Sequence, residues 1–239
     1  MSGIITKHIP NAITCCNLMS GGIATMFAFD HNFIMAFTFI IIGAVFDFFD
    51  GFTARLLHIS SPIGKELDSL ADDVTFGLAP AAMVLTFLKD FSFCSSGLAQ
   101  LLPYIALLIA AFSALRLAKF NLDERQSGSF IGLATPANAL FWGSFVISVN
   151  TWDALRDSLW GLGLMLCLIF LFCWLLVAEI PMFAFKFKTY AFGANRVRYI
   201  FLLSAITLIV LGAVHGYGIA GVTASVILYI LLSLRYGKC

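Results

Sequence analysis

Six acidic residues crowd into the stretch DFFDGFTARLLHISSPIGKELDSLADD, residues 47–73: Asp47, Asp50, Glu66, Asp68, Asp72 and Asp73, out of 13 in the whole chain. Asp47 and Asp50 are three residues apart, Asp68 and Asp72 four. On a helix each pair shares one face, about a turn deep. The short connection LLHISSPIG predicts an antiparallel hairpin, whose meeting ends bring the four carboxylates together. Carboxylates at that range repel unless they are protonated or neutralised. A divalent cation is the natural remedy, and all-oxygen ligation favours magnesium, manganese or calcium over zinc or copper. Four carboxylates can serve two ions that share ligands. Solvation and the helix dipole explain Asp68 and Glu66 near a helix start. They do not explain Asp47, which lies a turn inside an apolar run, where an ionisable group signals function. Asp73, turned about 100° from the Asp72 face, is assigned to the structural group.

The residues between the acids extend the chemistry. Gly51 follows Asp50, and Gly64 stands four before Asp68; glycine lets a bulky ligand approach the backbone. Arg55 carries a fixed charge and forked donors suited to phosphate oxygens, and Lys65 adds a second cation. Carboxylates for metals, glycine gaps and an arginine point to a diphosphate ester, since magnesium commonly bridges carboxylates and substrate phosphates.

These residues need a membrane scaffold. The chain of 239 residues is 61% hydrophobic and 11% charged, with a mean hydropathy of +0.97. A soluble domain has about a quarter of its residues charged, so lipid is the expected solvent. The net charge of +1 carries no argument for nucleic acid. At about 20 apolar residues per crossing, the sequence predicts an all-α polytopic membrane bundle of about eight spans. These run over 11–29, 33–54, 68–88, 98–120, 134–151, 157–180, 197–214 and 217–235. Residues 181–196 read as an interfacial segment with Lys186 and Lys188 at headgroup level. No cleavable leader is expected, because polar Asn11, Thr14 and Asn17 interrupt the first apolar run. Cys15, Cys16, Cys167 and Cys173 lie in apolar runs and read as reduced core thiols.

Eight spans put both termini on one side. That side holds Lys7, Arg55, Lys65, Arg116, Lys119, Arg125, Lys186, Lys188, Arg196, Arg198, Arg235 and Lys238; the other holds Lys89 and Arg156. The bias predicts cytoplasmic termini and a cytoplasmic acidic cluster in the cell membrane. Asn11 and Thr14, with Asn17, recur every three residues on one face of the first span. They suit either ligand contact or interhelical hydrogen bonds.

The pattern D-x2-D-G-x2-A-R-x8-G-x3-D-x3-D resembles the signature of the CDP-alcohol phosphatidyltransferases. Asp47, Asp50, Gly51, Ala54, Arg55, Gly64, Asp68 and Asp72 fill it without departure. Three further segments are similar to the phosphatidylserine synthase branch: IPNAITCCNLMSGG at 9–22, ELDSLADDVTFGLAPA at 66–81 and RLAKFNLDERQSGSFIGLATPANA at 116–139. Two positions depart from that branch. Lys119 stands at an arginine position, and Ala134-Thr135-Pro136 replaces a two-proline version. The resemblance covers roughly residues 5–140.

The resemblance implies a single membrane domain over 1–239, with a catalytic core at about 5–140 and C-terminal helices at about 157–239. It implies transfer of a phosphatidyl group from CDP-diacylglycerol to L-serine with release of CMP. Two divalent ions, Mg2+ or Mn2+, sit among Asp47, Asp50, Asp68 and Asp72. Asp72 acts as general base, and Asp68 also belongs to the catalytic set. Gly51, Ala54, Arg55, Gly64 and Lys65 fall to the nucleotide side, with Asn11 and Thr14 as further contacts. Arg116 and Asn121 are candidates for the serine pocket. A homodimer embedded among membrane lipids is expected. A glycerol-phosphate or inositol-phosphate acceptor, or an archaeal ether lipid, stays open. A cation transporter is the reading from another class; its site belongs near the bilayer midplane on interrupted helices, whereas these acids lie at a span's end beside an arginine.

Overall fold

The computed structural model describes residues 2–58, 61–94, 97–123, 130–150, 152–156, 158–183, 192–214 and 219–236. Eight long helices account for most of them: α1 (Ser2–Phe29), α2 (Phe33–Leu56), α3 (Pro62–Lys89), α4 (Gly97–Leu122), α5 (Thr135–Val149), α6 (Leu159–Val177), α7 (Phe192–Val214) and α8 (Ala220–Tyr236). Each expected span coincides with one of them. Six, α1 to α4 with α6 and α7, are long and apolar enough to cross a membrane. The chain is thus an all-α polytopic membrane protein. Helices α5 and α8, at 15 and 17 residues, reach only about 23 and 26 Å against a hydrocarbon core of about 30 Å. The span count of eight is therefore not reached by length alone. Half of the expected interfacial segment, 184–191, lies outside the described residues. Its first residues instead form a short ladder, with β1 (Phe130–Ile131) antiparallel to β2 (Pro181–Met182).

Local chemistry sets the hairpin that carries the acids. The side chain of Asn32 accepts from the Met35 N–H at the start of α2. Ser61 caps α3 by accepting from the Gly64 N–H at 3.0 Å, with Pro62 at the first helical position. Both follow the rule that short polar side chains satisfy orphan donors at helix starts, while proline lacks the donor that would be orphaned. Helix α3 then widens into a π-helical stretch over Asp73–Leu78 before resuming at Ala79. Pro80 explains the position: it lacks an N–H, and its ring clashes with the carbonyl four residues back, so a regular helix cannot run through Phe76.

The core lies around α3. From Thr75 to Leu88 nearly every residue of α3 is buried, whereas α7 is mostly exposed, with Phe201 packed against Tyr229. Met83 and Phe87 of α3 are fully buried with Phe37 and Ile40 of α2 and Trp142 of α5. Phe141 of α5 stacks on Phe172 of α6 at 3.9 Å. Ser144 of α5 meets Thr223 of α8 at 2.8 Å. Cys94 and Cys173 are buried, but Cys15, Cys16 and Cys167 are exposed on the outer surface. Those three are not core thiols: their positions on α1 and α6 turn away from the bundle.

Helices α1 and α2 close onto the π-helical stretch through two glycines. Thr75 is fully buried. A Cβ on Gly21 would lie 2.7 Å from the Thr75 Cα, and one on Gly43 would lie 2.5 Å from its Cγ2. A Cβ on Gly22 would meet nothing within 4 Å. Gly21→Ala is expected to destabilise the protein by about 1–3 kcal/mol through overpacking against backbone. Gly22→Ala is expected to be neutral or to gain up to about 1 kcal/mol of helix propensity. Thermal unfolding in detergent checks the contrast.

Candidate active site

The acids gather where α2 ends and α3 begins. Carboxylate oxygens of Asp47, Asp50 and Asp68 lie within 4.8 Å of one another. Asp50 is buried at 5% exposure, and Asp47 and Asp68 are half-buried. Asp72, one turn past Asp68, stands outside this group of three but within electrostatic reach of all of it. At this spacing each ionised pair costs about 3–4 kcal/mol at an effective dielectric near 20. His31 pairs with Asp90 at the opposite end of the bundle, and among the described residues no lysine or arginine is paired with Asp47, Asp50 or Asp68. Three convergent carboxylates without a counter-charge fit a hard divalent cation. The all-oxygen donor set suits Mg2+, Mn2+ or Ca2+.

Helix α1 supplies neutral donors instead of charge. The Thr14 hydroxyl donates to Asp50 Oδ2 at 2.6 Å. One turn on, Asn17 Nδ2 donates to Asp72 Oδ1 at 3.2 Å. Both side chains are buried. Of the two readings open for this polar face, Thr14 and Asn17 take the interhelical one here, each with an aspartate as partner.

A cleft of about 250 Å³ adjoins the acids, lined by Pro10, Asn11, Thr14, Asp50, Gly51, Ala54, Ser61, Gly64, Lys65 and Asp68. Seven of these, Asp50, Gly51, Ala54, Ser61, Gly64, Lys65 and Asp68, come from the segment between the first and last aspartates. The other three come from α1. Arg55 is exposed, and its guanidinium folds back over Gly51: a Cβ on Gly51 would sit 3.5 Å from Nη1. At Gly64 a Cβ would lie 2.8 Å from Ser61 Oγ and 3.1 Å from Asn11 Oδ1. That glycine brings two oxygens of the wall together.

The residues assigned to a serine pocket separate. The Lys65 ammonium donates to the Asn121 carbonyl at 2.9 Å, and the Asn121 amide donates to Ser69 Oγ at 2.8 Å. These two tie α3 to the end of α4. Arg116 is buried at 7% exposure, with its guanidinium 5.0 Å from the Phe120 ring. Asp72 and Tyr229 are the charged or ionisable groups acting on it, and its Nε has no hydrogen-bond partner. Tyr229, which donates to the Phe183 carbonyl at 3.1 Å, brings α8 to the edge of the site. Sequence reasoning passed over Tyr229 and Thr75; Asn17 was read on the polar face of α1, for ligand contact or interhelical hydrogen bonding, but not among the site residues. Arg196 of α7 is exposed, and Arg198 donates to Asn195 at 2.8 Å beside a break in α7.

The family profile described as CDP-alcohol phosphatidyltransferase matches residues 7–234. The chain belongs to this family. Similar curated relatives carry the name CDP-diacylglycerol–serine O-phosphatidyltransferase. The one from Helicobacter pylori strain J99 is 33% identical over 151 residues, 62% of this chain and 61% of that relative. The one from Bacillus subtilis strain 168 is 38% identical over 134 residues, 54% of this chain and 70% of that relative. The one from Methanocaldococcus jannaschii is 32% identical over 144 residues, 60% of this chain and 63% of that relative. The chain thus spans about three-fifths of the H. pylori and M. jannaschii proteins.

In this member of the family, Asp50 is the least exposed residue of the convergent three and accepts the hydrogen bond from Thr14. Asp50→Asn is expected to weaken Mn2+ binding at least tenfold, measured by paramagnetic resonance titration of the purified protein. Removing its donor by Thr14→Val should give a smaller loss of roughly tenfold, within the usual range for groups that orient a metal ligand.

Proposed function

We propose that the chain transfers the phosphatidyl group of CDP-diacylglycerol to the hydroxyl of L-serine, giving phosphatidylserine and CMP. The observation that carries this is a cleft walled by family-motif residues, among them Asp50 and Asp68 of the three convergent carboxylates, in a chain whose similar relatives are named for this transfer. Asp47, Asp50, Asp68 and Asp72 hold two divalent ions, Mg2+ or Mn2+. When bound, such ions neutralise the diphosphate and act as Lewis acids on the phosphorus next to the lipid.

The chain's own residues do the rest. Gly51, Ala54, Gly64 and Lys65, with Asn11, wall the nucleotide side, and Arg55 donates to phosphate oxygens. The serine oxygen attacks the lipid-linked phosphorus, the bond from that phosphorus to the CMP oxygen breaks, and CMP leaves. Asp72 takes the serine hydroxyl proton. General-base help of this kind contributes about 10²–10⁴-fold in rate, and preorganised positive charge around the phosphates contributes more. Arg116, buried beside Asp72, receives the serine carboxylate; Asn121 supports that wall by joining α4 to α3.

The site faces the cytoplasm on this reading, because twelve of the fourteen lysines and arginines fall on the side of the acids. The 1–239 chain is one membrane domain, with its catalytic core over about 5–140 and helices from about 157 onward completing the bundle. It works as a homodimer among membrane lipids.

Purified protein given CDP-diacylglycerol, manganese and a panel of alcohols should release CMP with serine and not with glycerol-phosphate or inositol-phosphate. Release with a phosphorylated acceptor alone would move the chain to another branch. No release with any acceptor would sink the enzyme reading. Asp72→Asn should abolish transfer while nucleotide still binds, and Arg116→Ala should raise the serine KM at least tenfold. A serine KM unchanged in that variant would remove Arg116 from the pocket.

A further inference from the structure

Asn17 is joined to the catalytic segment at two points. Its side chain is fully buried, and Nδ2 donates to Asp72 Oδ1 at 3.2 Å. Its main-chain carbonyl accepts from Thr75 Oγ1 at 3.0 Å. Thr75 is itself fully buried in the notch between Gly21 and Gly43. It lies in the π-helical stretch three residues past Asp72. A π-helical stretch inside an α-helix is frequent at functional sites. Here it begins directly after Asp72 and contains Thr75, so the two anchor points of Asn17 lie at its start.

The donor's chemistry matters as much as its place. An amide N–H satisfies a buried carboxylate oxygen without neutralising it, which a lysine or arginine would do. It also occupies one oxygen and leaves the other. Thr14 treats Asp50 in the same way one turn earlier on the same helix face. The difference is in the partners: Asp50 belongs to the convergent group of three, and Asp72 stands outside it.

We infer that Asn17 is a positioning residue for Asp72: its amide fixes Oδ1 and leaves Oδ2 as the oxygen that meets the acceptor and the bound ion. This rests on the proposed transfer reaction for the role of Asp72, but not for the geometry. Asn17 touches no reacting atom and acts through the carboxylate alone.

The test uses the full chain in detergent or nanodiscs, with Asn17→Ala and the milder Asn17→Ser, each alone and combined with Asp72→Asn. Mn2+ affinity is read by paramagnetic resonance, and kinetics with CDP-diacylglycerol and serine are run beside it. In the otherwise native chain, Asn17→Ala should lower Mn2+ affinity roughly tenfold. It should also lower kcat by about 10–100-fold, with the KM for CDP-diacylglycerol within about twofold. In the Asp72→Asn background the same change should cause no further loss of Mn2+ affinity, because coupled residues are non-additive. Equal losses in both backgrounds would overturn the inference. So would an effect confined to KM, or a lowered melting temperature with metal affinity and kcat intact. Failure of both variants to fold would mark Asn17 as structural and overturn it too. If wild-type protein releases no CMP while the Mn2+ coupling to Asp72 persists, the reaction assignment fails and the positioning role stands.

Discussion

Like charges held close together at the end of an apolar bundle repel, and low dielectric on one side makes the repulsion stronger than in water. Asp47, Asp50 and Asp68 are in that situation, and the surrounding structure is arranged around tolerating it. The hairpin of α2 and α3 brings the acids together. Helix α1 lies across it and contributes hydroxyl and amide donors, not cations. The charge is therefore kept rather than cancelled, which is the condition for capturing a divalent ion. A lysine in place of Thr14 would relieve the repulsion and remove the reason for an ion to bind.

Rigidity follows from the same need. Carboxylates that repel drift apart unless their backbones are pinned. Small residues do the pinning: Gly21 and Gly43 admit Thr75, and Gly64 admits Asn11 and Ser61. In lipid there is little hydrophobic force between helices, so close backbone approach and interhelical hydrogen bonds supply the association. Within the segment 43–75, Gly43, Gly51 and Gly64 serve contact between neighbouring residues, with Gly51 and Gly64 also lining the cleft. The π-helical stretch, which precedes Pro80, carries Thr75 to the Asn17 carbonyl while Asp72 stays within electrostatic reach of the other acids.

The site has two sides that differ in their chemistry. Toward α1 and α2 lies the cleft with its motif residues. Toward α4 and α8 lies Arg116, buried beside Asp72 with Tyr229 beyond it. On the proposed reading the first side takes the nucleotide and the second the acceptor, with Asp72 between them. The C-terminal helices, which lie outside the aspartate motif, reach Arg116 through Tyr229 as well as adding bulk to the bundle.

Much of this was legible in the chain's own order of residues. Long apolar runs in an 11%-charged chain leave lipid as solvent and helices as the only open-ended way to satisfy the backbone there. The spacings of Asp47 and Asp50, and of Asp68 and Asp72, put each pair on one helix face, and the short connection brought the pairs together. What periodicity does not carry is which polar atom meets which across helices. Asn11, Thr14 and Asn17 share a face, yet Asn11 and Thr14 line the cleft while Thr14 and Asn17 hold carboxylates. Lys65 and Asn121 read as ligand groups and bond to the scaffold. Asn17, Thr75 and Tyr229 took their roles from partners 55, 58 and 46 residues away. One-helix geometry determines the face a side chain occupies; only packing of separate helices decides the atom it reaches, because that distance depends on how closely two backbones approach.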